Sequence, residues 1–200
     1  KEYSPSELAK IVDIEVKGGM PLEDVGRIYG NRKPSEIQKL LDVAILPESL
    51  TAVLDQPAMR KVFTIDHAAV LGSAIKRYGL APQEAKTIFD NLLSKGEYTA
   101  NQLERMMTTL APQIKEAPPD MFSGMSLEKG GIISVMKDVM NGIKDEQKQS
   151  RQLSSFNNFI LAAQKAGRAI PGELVAAQKV ALNELNKIRG RIKDMQYSLG

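Results

Sequence analysis

The most informative segment of this chain is Pro21–Pro47, PLEDVGRIYGNRKPSEIQKLLDVAILP. Its apolar residues recur at helical spacing on both sides of Gly30, which favours two short helices joined by a tight turn. A proline at the first position of a helix is well tolerated, so Pro34 fits the start of the second helix. We therefore predict a helix-turn-helix pair whose second helix is Pro34–Ala44.

Such a pair binds duplex DNA when its second helix is free to enter a major groove. Gly26 is a small residue where the two helices would cross, and Gly30 permits the turn. Basic and polar residues at the turn and on the outer side of the second helix are the candidate DNA-binding residues: Arg32, Lys33, Ser35, Gln38 and Lys39. Gln and Lys can bind base edges, whereas turn residues suit phosphates. Two packed helices with a solvated polar face remain the alternative.

The composition predicts helices throughout the chain. Hydrophobic residues make up 42% of the 200 residues, aromatic residues only 5%, and tryptophan and cysteine are absent. A core of aliphatic residues and methionine favours helix-on-helix packing, and no strand pattern competes. We expect an all-α protein with a helix-turn-helix domain followed by a helical bundle or coiled coil.

Proline and glycine place a linker at 117–124, between a domain at 1–116 and a helical region at 125–200. In the first domain we expect Ser6 to cap the first helix, and further helices near Glu48–Leu54, Thr64–Tyr78, Pro82–Ser94 and Thr99–Leu110. In the second region we expect three helices, near Leu127–Ile143, Gln152–Ala166 and Gly172–Leu199. The last helix has a 4-3-4-3-4 apolar spacing that suits self-association: Ala181, Leu185, Ile188, Ile192, Met195 and Leu199.

Segments flanking the helix-turn-helix resemble the ParB-like family of partition proteins, which includes KorB-like members. Tyr3–Ala9, YSPSELA, is similar to the family's entry LSPIELA, and Leu46–Leu50, LPESL, resembles its LP-x-x-(V/L) punctuation. Phe63–Leu71, FTIDHAAVL, is similar to LSxGHAxAL, and Gly79–Ala85, GLAPQEA, resembles GLSVRxTE. These landmarks cover about residues 3–107, in the family's order. Three details depart from the pattern: Gly30–Pro47 is one residue longer, Gly26 replaces a common Ala, and Asp42 replaces a position that is often basic.

The resemblance implies sequence-specific binding of double-stranded DNA by a homodimer, in plasmid or chromosome partition or in transcriptional regulation. The resemblance also implies a nucleotide-binding domain upstream of these residues in a complete family member. We expect nucleotide binding and contact with a partition ATPase to belong to that region. A cytoplasmic location on the nucleoid or a plasmid would follow.

Charge alone does not establish DNA binding. The net charge is +3, but residues 1–116 hold 15 basic and 16 acidic side chains. Three basic groups could add phosphate contacts: Arg60-Lys61, Lys76-Arg77, and the trio Arg189, Arg191 and Lys193. We expect the trio to lie on the solvent-exposed surface of a helical bundle rather than on DNA.

Nothing in the sequence indicates catalysis, a cofactor or a metal. His67 is the only histidine, and without cysteine it cannot form a zinc site. We expect it to pack or cap its helix. No apolar run reaches the roughly 20 residues of a membrane helix, so no membrane partner is expected. The main alternative to DNA binding is a protein-interaction scaffold that keeps the helix-turn-helix fold. A virion or conjugation component is a further alternative, and an enzyme is the least favoured.

Overall fold

A computed structural model describes residues 3–116, 122 and 131–195, and within these ranges the chain is all-helical with no strand. The helices are α1 (Pro5–Lys17), α2 (Leu22–Ile28), α3 (Pro34–Ala44), α4 (Glu48–Asp55), α5 (Ile65–Tyr78), α6 (Pro82–Ile88), α7 (Ala100–Thr109), α8 (Ala111–Glu116), α9 (Ile132–Lys165) and α10 (Gly172–Met195). A five-residue π-helical segment, Phe89–Leu93, extends α6. The prediction of an all-α fold is confirmed.

Two compact units divide the chain, Lys1–Ser134 and Val135–Gly200. We call the first the N-terminal unit. The boundary falls in the first turn of α9, later than the linker predicted at 117–124. That linker lies outside the described residues except for Phe122, whose side chain is buried.

Helix α3 is the centre of the N-terminal unit, where it packs against α1, α2 and α5. Its inner side contributes Ile37, Leu40 and Val43, all of them buried. Gly72 of α5 makes the closest crossing, because a Cβ atom added there would lie 1.8 Å from the carbonyl oxygen of Asp42. Only glycine allows α5 to lie so close to α3.

Serine 4, not the predicted Ser6, caps α1. The Ser4 hydroxyl accepts from the Glu7 amide, and the Glu7 carboxylate accepts from the Ser4 amide, which forms a capping box. Pro5 occupies the first turn, where its missing amide proton is not needed. Ser6 instead lies inside, where its amide donates to Asp55 Oδ1 at 3.1 Å and its hydroxyl donates to Asp55 Oδ2.

His67 has the structural role expected from the sequence. It lies in the first turn of α5, where its Nδ1 accepts from the Thr64 amide at 3.2 Å. Nε2 therefore carries the proton and lies 3.0 Å from the carbonyl oxygen of Tyr98. The buried imidazole thus ties the start of α5 to the segment before α7.

The second unit contains an antiparallel hairpin of α9 and α10. Contacts join the two helices at three levels. A Cβ on Gly142 would lie 2.9 Å from Ile192, Glu146 accepts from Arg189 Nε at 2.9 Å, and Asn157 accepts from Gln178 at 2.6 Å. The turn is closed by Gly167 at φ +64°, with the Arg168 amide bonded to the Ala163 carbonyl oxygen.

The prediction of three helices in the second region is wrong, because α9 runs unbroken through 144–151. This polar stretch, KDEQKQSR, lacks apolar periodicity, but it also lacks glycine and proline and consists mostly of good helix formers. The first predicted helix begins at Leu127, and its residues before Gly131 lie outside the described residues, as does Leu199.

Candidate nucleic-acid interface

The turn between α2 and α3 is built from two consecutive left-handed residues, Gly30 at φ +98° and Asn31 at φ +55°. The Arg32 amide then donates to the Gly26 carbonyl oxygen at 2.9 Å. A Cβ on Gly26 would lie 2.2 Å from the Arg32 carbonyl oxygen, so the turn packs directly on α2. The sequence argument for a small residue at this crossing is therefore supported by a specific contact.

The N-terminal half of α3 presents an outer side to solvent. Ser35, Glu36 and Lys39 are exposed there, whereas Ile37 and Leu40 are buried beneath them. The Glu36 carboxylate accepts from the Lys33 amide at 2.8 Å and caps the helix start. This helix end has the accessibility that insertion into a groove requires.

Arg32 and Lys33, both predicted from the turn, differ in their surroundings. The Arg32 side chain is half-buried, and its Nε donates to the Tyr29 carbonyl oxygen at 3.0 Å. The Lys33 side chain is exposed at the helix entrance. Arg32 therefore helps to hold the turn, and Lys33 is the more available of the two for a phosphate.

Lys39 forms an ion pair with Asp66, in which Nζ lies 2.6 Å from Oδ1. This hydrogen bond, with further negative charge from Glu36 and Glu104, raises the pKa of the lysine. Asp66 belongs to the first turn of α5, 27 residues away along the chain. No local sequence pattern indicates this partner, because the pairing of Lys39 with Asp66 depends on how α3 and α5 cross.

Gln38 and the pair Lys76-Arg77 converge on Asp42. Gln38 Nε2 donates to Asp42 Oδ1 at 3.4 Å. Burial raises the pKa of the Asp42 carboxyl, while the Gln38 hydrogen bond and the charges of Lys76 and Arg77 act in the opposite direction. The end of α5 therefore brings two predicted cations beside α3, but each of them also faces a carboxylate.

Asp66 lies between two open cavities of the N-terminal unit. One, of about 370 Å³, is lined by Lys39, Asp42 and Arg77 among others. The other, of about 1060 Å³, is lined by Arg32 and Arg60 among others, and Asp66 lines both. Lys61 is exposed on the loop that follows α4. Four of the predicted cations thus line two cavities that share Asp66: Lys39 and Arg77 line the first, and Arg32 and Arg60 line the second.

No group of histidine and carboxylate side chains in the described residues has an arrangement that could hold a metal ion. Within the same ranges, no helix is both long and apolar enough to span a bilayer.

No protein-family model, curated protein or solved structure matches this chain. The ParB-like resemblance therefore stays a prediction, and the interface is interpreted from its own geometry.

Proposed function

We propose that the N-terminal unit binds double-stranded DNA by placing the start of α3 in a major groove. The observation that carries this proposal is the α2–turn–α3 geometry. The turn is fixed by Gly26 and Gly30, the inner side of α3 is buried, and the outer side carries exposed Ser35 and Lys39. Lys33 at the helix entrance supplies a cation for the adjacent phosphates.

The proposed biological role is plasmid or chromosome partition, or transcriptional regulation through the same module. A homodimer would bring two copies of α3 to the half-sites of a palindrome, about one helical turn apart. A partition ATPase would bind a region outside this chain. The proposed location is the nucleoid or a plasmid.

Selection from random duplex DNA over a salt series tests the proposal. We expect enrichment of a palindrome by the full chain, with binding that weakens as salt rises. Replacing Lys33 and Lys39 together by alanine should reduce affinity about 10- to 100-fold, as expected for loss of one phosphate and one base contact. The matched control replaces Lys137 and Lys148, which are exposed on the hairpin and change the net charge equally.

Absence of retained DNA even at low salt would reject the proposal. A protein-interaction scaffold then becomes the better account. One observation favours that second candidate: the carboxylates of Asp66 and Asp42 lie beside the cations of the α3–α5 surface. A surface with paired charges of both signs fits a folded protein partner as well as it fits a polyanion.

A further inference from the structure

The two halves of the hairpin differ sharply in charge. The half next to the turn, residues 152–183, has four charged side chains among 32 residues: Lys165, Arg168, Glu173 and Lys179. We call it the turn half. The remainder, 135–151 with 184–195, has 13 charged side chains among 29 residues and is called the open half. The helical segment 152–164 contains no charge at all. A solvated helix normally carries charge on its outer side, so this absence requires an explanation.

The seam between the helices also changes along the hairpin. Ile143, Leu185 and Ile188 of the open half are buried. Toward the turn, the apolar seam residues are only half-buried: Leu153, Phe156, Ile160, Ala163, Leu174 and Val175. Two helices alone cannot enclose a core, and a bundle needs further helices to do so. The seam is therefore incomplete where the charge disappears.

Large apolar side chains lie outside the seam in the same half. Phe159 is 63% exposed and Val180 is 68% exposed, and Leu161 and Leu182 are exposed as well. These four side chains are distributed over both helices. Single exposed apolar residues are ordinary, but four of them in a region with few charges, beside an incomplete seam, indicate a covered surface.

We propose that a second copy of this chain covers the turn half, so that two hairpins form a four-helix bundle. The polar residues of this half are mainly amides and hydroxyls, such as Ser154, Asn158 and Gln164. Amides both donate and accept hydrogen bonds, so they can pair with their own copies across a two-fold axis. A charged side chain near such an axis would meet its own like charge.

The size of the surface fits this occupant. The segments 152–164 and 174–183 together contain 13 and 10 residues, or 23. Stable protein interfaces use roughly 20 to 30 residues from each partner. The apolar seam of α10, which we predicted to serve self-association, instead packs largely against α9 of the same chain. The proposed contact therefore uses the turn half and not that seam alone.

Sedimentation of the full chain without DNA tests this proposal independently of the proposed function. The chain mass is 22.0 kDa, so a dimer sediments as a particle of twice that mass. Replacing Phe159 and Val180 together by glutamate should weaken dimerisation at least 100-fold, since four charges would enter the interface of the dimer. The matched control, Asn141→Glu with Asn186→Glu, introduces the same charge in the open half, at exposed positions. It should weaken dimerisation less than tenfold.

A second measurement does not depend on the folding of the glutamate variant. Because the chain has no cysteine, Asn158→Cys provides a unique thiol in the turn half, and Asn186→Cys provides one in the open half. A short bismaleimide should crosslink the first variant into dimers and leave the second mostly monomeric.

A monomeric wild-type chain at about 100 μM would overturn the proposal, since dissociation constants of functional homodimers lie well below that concentration. Dimers that persist equally in both glutamate variants would also overturn it, as would equal crosslinking of the two cysteine variants. In those cases the turn half binds a different protein or the dimer forms elsewhere.

Discussion

The N-terminal unit and the hairpin are both helical, but their geometries are fixed in different ways. In the N-terminal unit, short helices cross at single positions such as Gly26 and Gly72, where a methyl group would collide with backbone. In the hairpin, two long helices share one extended seam. A Cβ added there at Gly142 would meet only the Ile192 side chain, and one at Gly190 would meet no atom within 4 Å. The first geometry depends on a few residues that cannot change. The second is distributed over many residues, each of which matters less.

Gly72→Ala tests whether single close crossings fix the N-terminal unit, and we expect it to have the largest effect. The new Cβ would lie 1.8 Å from the Asp42 carbonyl oxygen, so α3 and α5 must separate. We expect the free energy of unfolding of the N-terminal unit to fall by about 3 kcal/mol or more. Urea denaturation followed by circular dichroism measures it.

Gly190→Ala is the matched change in the hairpin. It removes the flexibility of glycine from the interior of α10 without a collision, so it should stabilise the hairpin by about 1 kcal/mol. Effects of opposite sign for the two variants would support the contrast. A tolerated alanine at position 72 would contradict it.

Ser6→Ala tests a second single-point contact of the N-terminal unit. It deletes the hydroxyl that donates to the Asp55 carboxylate, which should cost about 2 kcal/mol at neutral pH. Burial tends to raise the pKa of Asp55, but the hydrogen bonds from Ser6 outweigh it and hold the pKa below its ordinary value of 3.8. This contribution is present above pH 3.8 and is lost as the pH falls through the folded-state pKa.

Urea midpoints measured from pH 7 down to pH 2 should therefore converge for Ser6→Ala and wild type. A difference that stays constant over this range would show that the Asp55 charge is not involved. Ser49→Ala, at an exposed position of α4, is the control and should change the midpoint little at any pH.

Asp66→Asn tests whether a single contact of the N-terminal unit also controls its proposed DNA affinity. Asp66 holds Lys39 and lines both cavities of the candidate interface. Neutralising it frees the lysine and removes a negative charge from the surface proposed to bind DNA. We expect DNA affinity to rise about fivefold and the salt dependence to steepen by about one phosphate contact.

Asp90→Asn is the matched control for this variant, because Asp90 also pairs with a lysine, Lys86, but at the end of α6. It changes the net charge equally and should leave affinity nearly unchanged. Equal gains for the two variants would mean that only net charge matters, and that Asp66 has no special position.

The smallest effect is expected for Asp42→Asn. Burial raises the pKa of this carboxyl, so the folded state disfavours its charged form. The contribution of Asp42 to stability is therefore complete below pH 3.8 and is lost as the pH rises through its folded-state pKa. The variant should match wild type near pH 3 and be slightly more stable at pH 7. A variant less stable at pH 7 would show that the charges of Lys76 and Arg77 dominate.

Local signals in the sequence predicted much of the N-terminal unit. Pro34 begins α3 and Gly30 lies in the turn, as predicted. Helices α5 and α7 begin one residue after the predicted starts Thr64 and Thr99, which cap them. Such signals act within one helical turn, so they can be recognised without knowing the fold.

Features that depend on distant contacts were not predicted. The pairing of Lys39 with Asp66 and the burial of Ser6 against Asp55 both join residues far apart in sequence. The continuity of α9 was missed because a polar stretch carries no periodicity, although Glu146 within it is buried and bonded to Arg189. The candidate site was thus predicted as a list of cations, without the carboxylates that pair with them.

The position of His67 has a practical consequence for spectroscopy. As the only histidine of the chain, it gives one set of imidazole resonances that needs no assignment by mutation. Its two ring nitrogens contact Thr64 and the Tyr98 carbonyl oxygen, so their nitrogen shifts report the tautomer that both contacts require. The His67 imidazole resonances therefore report on the state of the N-terminal unit and can be followed during titration with DNA or denaturant.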